Sequence, residues 1–262
     1  MSILTKAKKL SIICLNPHII TCKSKYLFLL SHMRSRSSVL SHVLGSNPGI
    51  CGYSELHSSY INYIDLVNMR IKLYKDLECK LKHQYLFDKI LQNRHVVSNR
   101  ILEITNPKII FLLRNSESTI KSIINMAQIT GARWCEKPED ALEYYCSRLL
   151  CLEKYANEIK GNYFFIESDD LVDNTDHVLD DLSKWLSLHN PLEKSYSTFS
   201  NTGKPGFGDP LHNIKSGVIK KTESYKDIDV PLEILQKGNA SYERCKSNIL
   251  KHCCPKQDRI EK

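Results

Sequence analysis

Four short apolar runs punctuate this chain: YLFLL at 26–30, YLFDKIL at 85–91, KIIFLL at 108–113 and NYFFI at 162–166. Between them lie long stretches whose apolar residues recur at helical spacing. Runs this short and this uniformly apolar suit strands buried on both faces. Strands alternating with helices build a mostly parallel sheet with helices on both sides. The expected fold class is therefore α/β.

The helical stretches carry their own punctuation. After the first run, Val39, Leu40, Val43 and Leu44 share one helical face, with Gly45 as a stop and SNPG as a turn. HSSYINYIDLVNMRIKLYKDLECKLK reads as a helix, and Asn115 or Ser116 can cap another that carries Ile120, Ile123, Ile124 and Ala127. The clearest helix opens at Pro138, repeats Leu142, Tyr145, Leu149, Leu152, Tyr155 and Ile159, and ends at Gly161. A further helix carries Val178, Leu179, Leu182, Trp185 and Leu186. Residues 195–221 hold four glycines, two prolines and four lysines, the makings of a long lid loop. The expectation is one domain over residues 1–262, with an N-terminal extension at 1–25, the lid at 195–221 and a C-terminal helical tail at 222–262.

Composition narrows the partners. A formal charge of +8 favours an anionic ligand. The basic residues form no stripe with interleaved aromatics, so nucleic acid is not expected. Ten cysteines without a CxxC pair, several of them on helical stretches, read as reduced thiols in a cytoplasm. KHCCP near the end is a lone cluster and gives no metal site. The apolar piece near the N-terminus is broken by Asn16-Pro17 and too short to span a bilayer, so no integral membrane segment is expected.

The first strand runs into SHMRSRSS, and the third into RNSES. Ligands of parallel sheets bind beyond the carboxyl ends of the strands, where both segments fall. A plain reading of the first is an exposed loop with capping serines; the alternative is an anion cradle at a helix start. Neither a GxxxxGK[ST] phosphate loop nor a GxGxxG fingerprint is present.

RSRSS at 34–38 resembles the 5′-phosphosulfate loop of sulfotransferases that use 3′-phosphoadenosine-5′-phosphosulfate (PAPS), near [RK]-S-G-[ST]-[ST]. KIIFLLRNSESTIKS resembles their 3′-phosphate signature, an arginine ending a strand with a serine eight residues later, here Arg114 and Ser122. TGKPGFGDP at 202–210 is similar to the family's late glycine-rich loop, and FIESDDLV to the segment often written YEDL. The resemblance runs from about Tyr26 to Lys221. It implies a P-loop-like sulfotransferase fold and an enzyme that moves a sulfuryl group from PAPS to a hydroxyl or amine, without a metal. It further implies that Arg34, Ser35, Arg36, Ser37 and Ser38 bind the 5′-phosphosulfate, that Arg114 and Ser122 bind the 3′-phosphate, and that Lys204 adds charge from the lid. These residue types suit the task, because such an anion needs short donors and a fixed positive charge.

Two residues depart from the family pattern: Arg36 replaces a glycine, and Ser168 replaces the tyrosine of YEDL. Either the loop takes a conformation ordinary for an L-residue at Arg36, or Arg36 adds a charge to the site. For the general base, GYSELH offers Glu55 and His57. Glu55 follows Arg34 at the spacing of the catalytic glutamate of tyrosylprotein sulfotransferases, which that segment resembles. Arg34, Glu55 and His57 are the expected catalytic residues, and Lys89 is a further candidate charge stabiliser. A kinase-like nucleotide-dependent transferase and a non-catalytic nucleotide-binding module on the same fold are the alternatives. The acceptor, whether saccharide, lipid or small metabolite, is not readable from the sequence.

Overall fold

The structure is a computed structural model that describes residues 11–21, 23–77, 81, 84–159, 161, 163–204, 213–221, 225 and 227–253. At its centre lie β1 (Lys25–Ser31), β2 (Ile50–Cys51), β3 (Tyr85–Ile90), β4 (Lys108–Leu113) and β5 (Tyr163–Glu167). They form one sheet in the order β2-β3-β1-β4-β5, and each neighbouring pair is parallel. The four expected strands are present. The additional one, β2, has only two residues, too few to show any alternation, and it follows directly on the SNPG turn.

The strands are apolar on both faces because both faces are covered. Along β1, Tyr26, Phe28 and Leu30 pack into one layer and Leu27 and Leu29 into the other. The first layer is completed by α2 (Tyr63–Leu77), α5 (Pro138–Ile159) and α7 (Leu232–His252), through residues such as Leu66, Leu149, Leu152 and Ile249. The second is completed by α1 (Ser37–Ser46) and α6 (Thr175–Leu186), through Leu40, Leu44, Leu182 and Leu186. Two further helices are α3 (Asn99–Thr105) and α4 (Ser116–Thr130), and Ile120 and Ile123 of α4 share a smaller cluster with Ala141 of α5 and Ile234 of α7. Each fully buried leucine or isoleucine contributes roughly 1.5–3 kcal/mol. A core of this extent easily offsets one or two strained loop residues.

Chain order places the site. After β1 the chain builds β2 and β3 on one side, then crosses to lay β4 on the other. The carboxyl ends of β1 and β4 are therefore a topological switch point, where a crevice for ligand opens in sheets of this kind. The carboxyl ends of β1 and β3 are stitched by Arg148 of α5, whose side chain is fully buried. Its guanidinium donates to the carbonyls of Ser31 (2.8 Å) and Ile90 (2.7 Å) and to Asn93 Oδ1 (3.1 Å).

Several local expectations change. The helix expected from His57 starts only at Tyr63, because Asp65 Oδ2 accepts the backbone N–H groups of Ile61 and Asn62 and holds that segment in a turn. Gly45 does not stop α1, which continues to Ser46. It is a close-approach site: a Cβ there would lie 2.6 Å from the Gly52 carbonyl oxygen and from Tyr53 Cβ. Asn115 rather than Ser116 caps α4, accepting from Ser118 N at 2.9 Å. The lid segment is pinned at its base by an antiparallel bridge between Ser195 and Val218, while 205–212 lie outside the described residues.

The expectation of reduced thiols fails for Cys51, which is disulfide-bonded. The other cysteines among the described residues are free. Part of KHCCP also lies outside the described residues. Among the described residues no group of His, Cys, Asp and Glu is placed to hold a metal ion, and no helix is long and apolar enough to cross a membrane.

Candidate functional site

The turn between β1 and α1 is shaped by two left-handed arginines, Arg34 at φ 61° and Arg36 at φ 66°. A left-handed residue with a side chain costs about 1–2 kcal/mol, so something must hold the turn. Inside it, the Ser35 hydroxyl is enclosed between Ser31 Oγ (2.7 Å) and the His32 carbonyl (2.8 Å), and Ser31 donates to the Leu112 carbonyl at 2.6 Å. Ser35 is thus a brace of the turn, with its hydroxyl directed inward. Arg36 sits at the N-cap of α1 and gives no side-chain cap. The first-turn N–H groups of α1 are left for an acceptor outside the helix.

Arg114 leaves the end of β4 and donates from Nη1 to the Arg34 carbonyl at 3.0 Å. Arg34 Nε donates to Ser122 Oγ of α4 at 2.9 Å, and Tyr225 Oη lies 3.1 Å from the same hydroxyl. Arg34, Arg114 and Ser122 therefore meet at one place, although α4 carries Ser122 two turns away from the strand. Arg34 stands on the Ser122 side of the turn, so the two expected subsites are contiguous. Burial, and next the charge of Arg36, lower the Arg114 guanidinium to about 10, which leaves it charged at neutral pH. The Nε atoms of Arg36 and Arg114 are both buried without a hydrogen-bond partner.

His32 fixes the backbone of Arg114. Its Nε2 accepts the Arg114 N–H at 3.1 Å, which makes Nδ1 the protonated nitrogen, 2.9 Å from the Met33 carbonyl. The bond from Arg114 needs the neutral ring, and burial lowers its pKa to about 3.

A second line of groups runs from the turn toward β2. Lys89 Nζ, at the end of β3, donates to Ser38 Oγ at 3.1 Å and lies 3.7 Å from Glu55 Oε1. His57 Nδ1 lies 3.9 Å from Glu55 Oε2, beyond hydrogen-bonding distance, and its ring is about a third exposed. The structure thus joins Ser38, Lys89, Glu55 and His57. Burial lowers the Lys89 pKa, opposed next by the Glu55 charge. The Glu55 segment is held by Asp88, on the other face of β3. Asp88 Oδ1 accepts from Leu56 N (2.8 Å) and Lys89 N (2.7 Å), and Oδ2 accepts from Tyr60 Oη (2.6 Å). Lys72 Nζ donates to the Leu56 carbonyl at 3.0 Å.

Arg36 turns toward β5. Its Nη1 donates to the Ser168 carbonyl and hydroxyl, both at 2.9 Å, and pairs with Asp169 Oδ1 at 2.7 Å. The backbone at Arg36 is left-handed, not the conformation ordinary for an L-residue, and the side chain is engaged by Ser168 and Asp169. Ser37 is buried at the start of α1. Lys204 is not joined to the arginines; its Nζ lies 3.3 Å from Asn201 Oδ1. The lid base is tied to α1 instead by His42, whose Nδ1 donates to the Ser38 carbonyl (2.8 Å) and whose Nε2 accepts from Thr202 Oγ1 (2.9 Å).

The sequence reading did not single out His32, His42, Asp88, Asp169, Thr202 and Tyr225. Asp88 carried a signal, an acidic residue inside the apolar run YLFDKIL. The others sit in ordinary polar loops or helices. A cleft of about 360 Å³ lies behind α1, between 43–48 and 190–197, and is lined by none of these groups.

The sequence matches no family model and no curated protein. Solved structures do match. The sulfotransferase domain from the curacin biosynthetic pathway aligns with a TM-score of 0.60 at 18% identity, over 90% of this chain and 100% of that one. The sulfotransferase domain from the Synechococcus PCC 7002 olefin synthase aligns at 0.55 and 16%, over 86% of this chain and 94% of that one. This chain has the sulfotransferase fold, as its motifs implied.

Proposed function

We propose that this protein transfers a sulfuryl group from PAPS to a hydroxyl or amine of an acceptor, releasing adenosine 3′,5′-bisphosphate. The observation that carries the reading is the meeting of Arg34, Arg114 and Ser122 at the carboxyl ends of β1 and β4. The residues fit a polyanion. Two buried guanidinium N–H groups without an acceptor are costly, and an anion would complete them. Arg114 and Ser122 would hold the 3′-phosphate. The α1 first turn, Ser37, Ser38 and Arg36 would hold the 5′-phosphosulfate, with Arg34 between the two and Lys204 supplied by the lid.

PAPS supplies an activated sulfuryl group, whose bond to the 5′-phosphate oxygen breaks as the bond to the acceptor forms. Glu55 takes the acceptor's proton, with His57 beside it as the alternative base. Lys89 and Ser38 offset negative charge at the departing phosphate, as positioned donors do in related group transfers. The kinase-like alternative loses its usual cation, since the loop carries no Walker lysine and the nearby lysine comes from β3. The acceptor class stays at saccharide, lipid or small metabolite. The Cys51 disulfide favours an oxidising compartment over the cytoplasm expected from the cysteine pattern.

A thermal-shift panel tests the reading. Adenosine 3′,5′-bisphosphate should stabilise the fold more than AMP, ATP or NAD, by roughly 2.7 kcal/mol at a hundredfold excess over Kd. Equal shifts with AMP and the bisphosphate would remove the 3′-phosphate assignment.

A further inference from the structure

We infer that Asp169 is a positioning residue for the phosphate loop and acts through Arg36. One Asp169 oxygen takes the Arg36 guanidinium at 2.7 Å and the other accepts from Asn115 Nδ2 at 2.9 Å. Asn115 in turn caps α4, and Ser168 N donates to the Leu113 carbonyl at 2.7 Å. A single carboxylate at the end of β5 therefore ties the β1–α1 turn to the start of α4.

An exposed ion pair alone would hold little. This one differs, because the Arg36 side chain is only 13% exposed and meets three acceptors on Ser168 and Asp169. Its backbone is left-handed, where an arginine is unstable without restraint. Glycine would need no such restraint. Relaxation of Arg36 toward negative φ would swing the first-turn N–H groups of α1, so the clasp keeps those donors in place. Arg36 and Asp169 form one device: the arginine fills the glycine position, and the aspartate makes that tolerable. The charged group beside the pair is Arg114, which acts on both partners.

Asp169→Ala tests this, with Asp170→Ala as the control, because Asp170 Oδ1 bonds only locally, with Asn174 Nδ2 at 3.2 Å. Asp169 is half exposed, so both variants should fold. Amide hydrogen exchange on the ligand-free protein should rise several-fold over residues 33–38 in Asp169→Ala, with β1 and β4 unchanged. No rise there, or a rise spread over the whole sheet, overturns the inference. Calorimetric binding of adenosine 3′,5′-bisphosphate adds a cycle that rests on the proposed function. Asp169→Ala should weaken binding roughly tenfold, the loss of about one charge-assisted bond. In an Arg36→Gly background the same substitution should change it less than about twofold. An equal loss in both backgrounds would assign Asp169 to Asn115 alone and overturn the inference. The exchange pattern in Asp169→Ala together with a wild type that binds no bisphosphate would overturn the proposed function and leave the clasp standing.

Discussion

Acid should loosen this protein at the phosphate loop, and His32 sets much of the size of the effect. The ring is buried, accepts the Arg114 N–H and donates to the Met33 carbonyl, so its protonation breaks a contact at the site. Burial lowers its pKa from 6.5 to about 3, with the Arg114 and Arg148 charges adding to the shift and the Met33 contact opposing it. A histidine whose folded pKa is depressed contributes stability that is complete above the unfolded pKa. That contribution is lost as pH falls from about 6.5 toward 3, because only the unfolded chain binds the proton there. The slope approaches about 1.4 kcal/mol per pH unit, so His32 alone loses about 2 kcal/mol at pH 5. His42, lowered to about 4 first by burial, acts in the same direction over much of the same window. The assay is urea unfolding at pH 7.5, 6.5, 5.5 and 5.0 for wild type and His32→Gln. Glutamine keeps an acceptor for Arg114 N but does not titrate, so its curve should fall less steeply and end about 2 kcal/mol closer to its own pH 7.5 value. Parallel curves for the two proteins would refute the claim that His32 is held neutral.

Two further outcomes concern single side chains. Glu55→Gln should lower turnover by roughly 10² to 10⁴ with bisphosphate affinity nearly unchanged, while His57→Asn should cost far less; the reverse ranking in a radiolabelled transfer assay over pooled saccharides, phenols and lipids would move the base to His57. Arg148→Met should cost on the order of 3 kcal/mol in urea unfolding, because the Ser31 and Ile90 carbonyls lose their donor inside the core, and stability within error of wild type would show that neither needs it.

What the sequence made legible follows from how many residues carry each signal. β1, β3 and β4 were readable because both faces are covered, so most of their residues are apolar. β2 spans two residues, and α3 buries only Ile101 among its seven, so neither has a period to detect. Gly45 was misread because a glycine near a helix end usually marks a stop, whereas here its missing side chain admits Gly52 and Tyr53. Arg114 and Ser122 were singled out through the resemblance to a family signature, and Arg34 contacts both of them.

Contacts between distant segments were not readable. Arg36 and Asp169 stand 133 positions apart, and either alone looks like an exposed loop charge. The glycine usual at position 36 therefore marks a backbone shape rather than an obligatory residue. An arginine can keep that shape if another segment restrains it, and Asp169 is the residue in place to do so. The same reasoning separates cations that the sequence presents as equals. Arg148 is spent on the carbonyls of Ser31 and Ile90, and Lys89 is shared between Ser38 and Glu55. Arg114 and Arg36 each retain a buried Nε with nothing to donate to. A folded chain seldom leaves such donors unanswered unless something outside the chain accepts from them. Of the buried cations at these strand ends, those two therefore keep donor capacity for the anion proposed above.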